Sequence, residues 1–451
     1  MLNIAARIDR LPNTPIMKKI LFLTGIGWMF DAMDQGMVSG VMAAIGKDWS
    51  LTTGQLGFIG SIGMLGMALG AALSGMVADK LGRRTVITLT LIIYGVASLL
   101  SGFAGSYPVL LILRFCTGFG LGGELPAAST LISELSPKKI RGRNVIFLES
   151  FWAWGWIVAS LVAYLLIPAY GWRIAFIVGG IPALFAAVLR MKIPESPRYL
   201  ANKGKVEEAD KLVSKMELEA GIAKDTNVAV NRDNGNTVTK TQRITFVELW
   251  SKKYIRSTLV LWIIWFGINF GYYGFVLWTP SLLVAKGYLM IKSFEFTFIM
   301  CLAQLPGYFS AAYLVEKVGR KKVLFAYFIG TAISAWLFGH AGSTATVLVF
   351  GCMLYFFSLG AWGCVYAYTP EVYPTSARAT GSGWASAFGR LGAFLAPLVV
   401  PVVYNLFGEA TGYGYVFAML AGVFTVVAFV VGIFGKETMG KSLEEITDTK
   451  A

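Results

Sequence analysis

The chain has 451 residues, 56% of them hydrophobic and only 14% charged, with a mean hydropathy of +0.64. A soluble domain carries roughly 25% charged residues, so this chain cannot cover itself with a hydrated surface. The net charge of +14 does not mark nucleic-acid binding, because 33 of the 39 Lys and Arg residues collect on one side of the pattern that follows.

Apolar runs near the ~20 residues needed to cross a bilayer occur twelve times. In chain order they fall at 19–45, 54–78, 84–106, 107–133, 144–168, 173–191, 256–285, 294–315, 321–341, 344–370, 379–407 and 411–434. The first follows Lys18-Lys19, is too long for a signal-peptide core and shows no clear cleavage pattern, so a retained span is expected. With twelve spans, the N-terminus, every second link and the tail share one side. That side holds Lys80, Arg83 and Arg84, then Lys138, Lys139, Arg141 and Arg143, and fourteen basic residues from Arg190 to Arg256. The other side has only Lys47, Arg173, Lys286 and Lys292. This positive-inside pattern places both termini in the cytoplasm. Cys116, Cys301, Cys352 and Cys364 all lie in apolar runs and are expected to be buried thiols. With a single histidine, His340, no metal site is expected, and no cofactor.

The expected organisation is an N-terminal six-helix bundle at 1–191, a cytoplasmic central loop with short helices at 192–255, a C-terminal six-helix bundle at 256–435 and a cytoplasmic tail at 436–451. Within the loop, 203–219 is rich in Lys, Glu and Leu and reads as a helix, whereas 223–242 has linker composition. The two halves are related by a repeat. Gly75-Met-Val-Ala-Asp79-Lys80-Leu-Gly82-Arg83-Arg84 recurs 237 positions later as Ala312-Tyr-Leu-Val-Glu316-Lys317-Val-Gly319-Arg320-Lys321. The same offset carries Trp28 onto Trp265 and Glu134, Pro137 and Arg141 onto Glu371, Pro374 and Arg378. The fold class expected is an all-α polytopic membrane protein with twelve transmembrane helices in two pseudo-symmetric six-helix bundles.

A charge at the bilayer centre costs roughly 2.5–3.5 kcal/mol on insertion scales, so charges inside spans face a cavity or a partner. Asp31, Asp34, Arg114, Glu124, Glu149 and Arg390 are the candidates. Asp31 and Asp34 are i,i+3 and share a helix face. Two carboxylates in a low dielectric do not both stay ionised, which suits a proton carrier; pairing with Arg114 to hold helices together is the structural reading of the same residues. Glu124 precedes Pro126, where span four is expected to bend, and serves there as a gate, as a proton relay or as a structural bond. Glu149, Trp152 and Trp156 line one face of span five, as a cavity wall or as a packing ridge. Arg390 has no acid near it in its own span, so it needs a carboxylate from another helix or an anionic ligand. Tyr272 and Tyr273, beside Gly271 and Gly274, and Trp362 and Tyr366 add aromatic candidates; each taken singly reads as packing or interfacial belt. Gly118-Phe-Gly120-Leu-Gly122-Gly123 meets the G-x-G-x-x-G pattern but lies inside a span with no preceding strand, so it is read as a close-packing face and not as a nucleotide loop. No Walker motif is present, so ATP is not the expected energy source.

The Gly75–Arg84 signature resembles that of the major facilitator superfamily, and the resemblance covers essentially the whole chain. Arg114-Phe-Cys-Thr-Gly118-Phe-Gly120-Leu-Gly122-Gly123 is similar to that superfamily's second motif. Pro194-Glu195-Ser196-Pro197-Arg198 and Glu437-Thr438-Met-Gly440-Lys-Ser442-Leu-Glu444-Glu445 resemble the sugar-porter branch, and Asp31-Ala-Met-Asp34 resembles the Asp-x-x-Asp of aromatic-acid:proton symporters. Leu148-Glu149-Ser-Phe-Trp152-Ala-Trp-Gly155-Trp156, Gly120-Leu-Gly-Gly-Glu124-Leu-Pro126 and Gln304-Leu-Pro-Gly-Tyr-Phe-Ser310 resemble bacterial niacin permeases, a group similar to the synaptic vesicle glycoproteins.

These resemblances imply a proton-coupled secondary transporter working by alternating access, in the cytoplasmic (inner) membrane of a bacterium, as a monomer in the lipid bilayer. The implied substrate is niacin or a related aromatic carboxylate, held in a cavity between the halves by Arg390, Asp31, Trp152, Tyr272, Tyr273, Trp362, Tyr366 and Glu149. Asp34 is implied as the partner of Arg114, and Asp31, Asp34, Glu124 and Glu149 as the protonation switch. Gly75, Asp79, Gly82, Arg83, Arg84, Glu316, Gly319 and Arg320 are implied as an inter-helix latch, with Asp79 also able to pair with Arg143. A symporter of benzoate-like acids, a sugar porter and a transporter-shaped receptor without flux stay open as alternatives. An enzyme is not expected, since no nucleophile–base arrangement is visible.

Overall fold

The computed structural model describes residues 4–137, 140–222, 246–373 and 375–438. The linker composition at 223–242 and the tail motif from Gly440 onward lie outside the described residues, as do the side chains of Gly75, Asp79, Arg141, Arg143 and Arg378. Every regular element among the described residues is helical. The first half contains α1 (Ile4–Asp9), α2 (Pro15–Asp48), α3 (Thr53–Leu81), α4 (Arg83–Ser101), α5 (Tyr107–Leu135), α6 (Arg141–Leu165), α7 (Ile167–Tyr170), α8 (Arg173–Val178) and α9 (Ile181–Lys192). α10 (Pro197–Asn202) and α11 (Val206–Glu219) follow. The second half contains α12 (Ile255–Val276), α13 (Thr279–Ala285), α14 (Met290–Leu302), α15 (Gln304–Val318), α16 (Arg320–Gly339), α17 (Thr344–Val372) and α18 (Thr375–Phe434).

Ten helical stretches among the described residues are long and apolar enough to cross a membrane, α14 and α15 together forming one and α18 supplying two. The α18 run is broken at Gly408, whose φ of 74° no helix contains. The other two expected spans are helical as well. Span 19–45 lies inside the 34-residue α2, whose Lys18, Lys19, Asp31 and Asp34 dilute its hydropathy. Span 173–191 is divided between α8 and α9 at Gly179-Gly180. Large apolar side chains stand bare along these helices: Ile112 is 64% exposed, Leu184 76% and Val402 64%. Water would not tolerate such a surface, and lipid does. The protein is therefore an all-α, multi-pass membrane protein.

Two compact units emerge from the packing. One comprises residues 1–35, 65–159 and 173–237, and the other 36–64, 160–172 and 238–451. The boundary cuts through α2, α3 and α6, so one end of each of these helices belongs with the second half of the chain.

In the first unit, α4 packs on α5, α8 and α9. The glycine-rich stretch of α5 is a close-packing face, as its sequence implied: a Cβ on Gly122 would meet the backbone of Met67 in α3, and one on Gly120 the backbone of Tyr94 in α4. In the second unit α18 packs along α12 and α16, and α17 along α15 and α16. Ser343 starts α17 with a reciprocal cap, its hydroxyl accepting from Thr346 N at 3.3 Å while Thr346 Oγ1 accepts from Ser343 N at 3.0 Å. Cys116, Cys301, Cys352 and Cys364 are free thiols.

Candidate functional site

The buried charges of the first unit form two adjoining sets. On α2, Asp31 and Asp34 are 1% and 0% exposed. Arg114 of α5 donates from Nη2 to Asp34 Oδ2 at 2.9 Å, and Ser98 of α4 donates from Oγ to Asp34 Oδ1 at 2.5 Å. The guanidinium also lies over the Phe176 ring, 5.2 Å from its centre. Asp34 is thus a paired, hydrogen-bonded carboxylate, and the Asp34–Arg114 partnership implied by family resemblance is present.

Asp31 sits in a different setting. One turn along α2 it faces Glu124 of α5, with the Tyr94 phenol of α4 nearby. Asp31, Glu124 and Tyr94 are fully buried. None of the three polar groups has settled into a well-directed hydrogen bond with another protein group. Glu124 packs its carboxylate against Gly27, where a Cβ would collide with Oε1. The cation of this region is engaged with Asp34, so Asp31 and Glu124 share a buried site as two acids. Such a site stabilises one proton between two carboxylates and penalises double ionisation. Tyr94 and Ser98 were absent from the sequence-derived set. They are i,i+4 on α4, a polar pair on one face of an apolar helix, and that spacing was the available signal.

Glu149 is half-buried on α6, one turn before Trp152. Trp152 packs on Trp28, ring centres 5.0 Å apart.

The second unit gathers the aromatic candidates. Tyr272 and Tyr273 are 0% and 1% exposed. Trp362 lies 5.2 Å from Tyr272 and 6.3 Å from Tyr273, centre to centre, and 6.4 Å from Tyr366. Tyr366 in turn meets Trp265 edge-on at 5.3 Å. Trp265 is held by its indole N–H, which donates to Thr369 Oγ1 at 3.0 Å. Asn269, a residue sequence reasoning passed over, donates to Trp265 O at 2.8 Å. Arg390 of α18 is half-buried and within electrostatic reach of the Tyr273 phenol. Four rings and a permanent cation therefore lie in one neighbourhood, a combination suited to a planar anion.

The repeated loops carry the same construction twice. Gly82 and Gly319 adopt φ values of 94° and 109°, which only glycine reaches without strain. Each turns the chain into the next helix, α4 or α16. Arg83 then donates to Glu134 at 3.2 Å and to Ala78 O at 3.2 Å. Arg320 donates to Glu371 at 3.1 Å, to Val315 O at 3.2 Å and to Glu316 at 3.0 Å. A carboxylate caps each helix start: Glu195 Oε1 accepts from Arg83 N at 2.9 Å and Arg84 N at 3.3 Å, and Glu437 Oε1 accepts from Arg320 N at 2.9 Å. Glu195 and Glu437 were visible in the sugar-porter-like segments but carried no assigned role.

Outside the membrane, α1 is pinned to α11. Arg7, 0% exposed, donates to Glu217 at 3.0 and 2.6 Å, to Asp210 at 2.5 Å and to Ser214 at 3.0 Å. Burial alone would raise the Glu217 carboxyl, but Arg7 and Arg10 hold it below the ordinary glutamate range.

Over residues 27–449 the chain matches the family described as "Sugar (and other) transporter". It is 47% identical over 445 residues to the "Niacin transporter NiaP" of Acinetobacter baylyi, covering 99% of this chain and all of that one. It is 31% identical to the "Synaptic vesicle 2-related protein" of Xenopus laevis, over 95% of this chain and 79% of that one. Among solved structures it resembles the inward-open conformation of the xylose transporter XylE from E. coli, with a TM-score of 0.73 and 22% identity over 95% of this chain and 99% of that one, which bears on the fold alone. The chain belongs to the sugar (and other) transporter family, within the major facilitator superfamily that its loop motifs implied.

Proposed function

We propose that the protein is a secondary active transporter that imports niacin, coupled to protons, across the cytoplasmic membrane of a bacterium, with both termini on the cytoplasmic side. The substrate assignment rests on 47% identity along the full length of a niacin transporter. The aromatic group around Trp362 and the neighbouring Arg390 fit a planar pyridine carboxylate: the guanidinium takes the carboxylate while Tyr272, Tyr273, Trp362 and Tyr366 meet the ring.

Coupling is carried by one observation, the buried Asp31–Glu124 pair whose neighbouring cation is spent on Asp34. A proton taken up by this pair removes one of its two negative charges, and release restores two like charges in a buried site. Alternating exposure of the pair to the two sides then ties proton movement to the conformational cycle. Tyr94, whose phenol lies beside Asp31, is placed to donate to that carboxylate once it has lost its proton.

Uptake of labelled niacin into proteoliposomes tests this reading. An inwardly directed proton gradient is expected to accelerate uptake in the parent protein and to have no effect in Glu124→Gln. Arg390→Ala is expected to lose most niacin binding. Gradient-insensitive uptake by the parent protein overturns the coupling, and unchanged binding by Arg390→Ala removes its contact with the carboxylate.

A further inference from the structure

The second unit contains a cavity that the transport reading leaves unused. It has a volume of about 600 Å³ and lies where the end of α13, the end of α16 and the start of the last membrane stretch of α18 meet. α16 begins at Arg320 and ends at Gly339, so this cavity sits a full helix length, ~30 Å, from the basic loop. By the positive-inside pattern it opens toward the outer face.

Its walls join a cation to aromatic rings. Lys286 lines it, with Nζ 4.3 Å from the centre of the Tyr413 ring and donating to Ala341 O at 2.5 Å. An ammonium has three hydrogens, and that carbonyl is the one acceptor it meets among the described residues. No carboxylate lines the cavity among the described residues. Burial pushes the Lys286 ammonium below the ordinary lysine range. The Tyr413 hydroxyl is also buried and unpartnered, with the residue 6% exposed. On the open side stand Trp336, 51% exposed, and Tyr415, 47% exposed. His340 stacks on Trp336 at 4.3 Å and donates from Nδ1 to Trp336 O at 2.8 Å, which fixes that wall.

We propose that this cavity binds an oxyanion carried on an apolar or aromatic body, the anion on Lys286 and the body against Trp336 and Tyr415. Two sources present that chemistry at an outer membrane surface: the phosphate of an anionic phospholipid, and a soluble aromatic carboxylate waiting outside the transport path. The second source rests on the niacin reading; the first does not.

Thermal unfolding of the delipidated protein in detergent separates them. The probes are dihexanoyl phosphatidylglycerol, dihexanoyl phosphatidylcholine and nicotinate. Phosphatidylglycerol or nicotinate is expected to give a saturable rise of roughly 3 °C or more that is lost in Lys286→Gln and kept in Lys286→Arg. Loss of the phosphatidylglycerol shift names a lipid headgroup; loss of part of the nicotinate shift names a soluble acid. Trp336→Ala removes an exposed ring without touching the core and is expected to weaken the same ligand at least threefold, so the site remains testable if Lys286→Gln does not fold. Equal shifts with phosphatidylcholine and phosphatidylglycerol, with a nicotinate response unchanged by Lys286→Gln and Trp336→Ala, overturn the proposal. Arg390 and the Asp31–Glu124 pair are not part of this site, so failure here leaves the transport reading standing, and failure of niacin uptake leaves the lipid arm intact.

Discussion

The first unit spends its buried charges in two ways, and the difference is measurable. Asp34 is bonded to Arg114 at 2.9 Å and to Ser98 at 2.5 Å, all three side chains shielded from solvent. Asp34→Asn removes the counter-charge and leaves a guanidinium buried with no anion. Breaking one side of a buried pair costs about 3–5 kcal/mol. A folding unit of roughly 150–250 residues loses ~2–4 °C of unfolding temperature per kcal/mol, so a fall of roughly 6–20 °C is expected. The double variant Asp34→Asn with Arg114→Gln removes both charges and is expected to recover most of it. Glu124→Gln is isosteric, replaces a group that has no cation to lose, and is expected to change stability by less than about 1 kcal/mol while removing gradient-driven uptake. Dye-monitored unfolding in detergent, with the uptake assay on the same preparations, reads both effects. An Asp34→Asn protein as stable as its parent, or a Glu124→Gln protein that unfolds as early as Asp34→Asn, refutes the division of these acids into structural and protonatable sets.

Three further outcomes follow from geometry elsewhere. The Glu217 carboxyl is held below its unfolded value of ~4.3 by Arg7 and Arg10, so its contribution is fully present above that pH and is lost as pH falls through the lower folded value. Hydrogen-exchange protection of α1, relative to the intrinsic rate at each pH, is expected to fall on acidification below about pH 4.3, and Arg7→Ala to lower that protection at every pH. Gly57 packs where a Cβ would strike the Pro397 carbonyl, and nearby Ser61 donates to Phe394 O at 2.8 Å. Gly57→Trp should push α3 from α18 and expose a cysteine placed by Ser61→Cys to a thiol reagent; protection equal to that in the Gly57 background argues against this packing. Glu195→Ala and Glu437→Ala each remove a charged acceptor from a helix start and are expected to cost ~1–2 kcal/mol, nearly equally; a large effect at one cap and none at the other denies their equivalence.

Much of the fold was legible because membrane spans are written in composition. Long apolar runs and a one-sided distribution of Lys and Arg are strong signals, and α3, α4, α5, α16 and α17 fall on their expected spans. The span at 173–191 is where hydropathy said least about shape, since Gly179 and Gly180 divide it without changing its apolar character. Partner choice was harder to read. A line of sequence shows that Asp31 and Asp34 share a face but not which of them Arg114 reaches; that depends on where α5 lies beside α2, and family resemblance supplied it. Tyr94 and Ser98 are harder to read for the same reason: their i,i+4 spacing marks a polar face on an apolar helix but names no partner until α4 brings them against two aspartates. Arg7 was counted only as a positive charge outside the first span, and burial under α11 is what makes it a structural residue.

The repeat itself shows what a duplicated chain keeps and what it exchanges. At the offset of 237, Arg83 and Arg320, Glu134 and Glu371, and the carbonyls of Ala78 and Val315 make matching contacts. The acid caps do not obey that offset: Glu195 and Glu437 are 242 apart, five residues out of register. They come from the chain leaving the last span of each half, where insertions shift numbering without moving the helix start that needs an anion. Position fixed by geometry has outlived position fixed by counting. The intramembrane charges went the other way. Asp34 and Arg114 correspond by offset to Gly271 and Gly351, and a Cβ at those glycines would meet the Phe424 ring and the Met300 side chain. Where the first half joins its helices by an ion pair, the second joins them by pressing large apolar groups onto bare backbone. An acid restored at Gly271 has no room and no cation at the matching place, so the second half cannot regain that pair by a single substitution. Its permanent cation, Arg390, stands instead at the position matching Ala153, within electrostatic reach of the Tyr273 phenol.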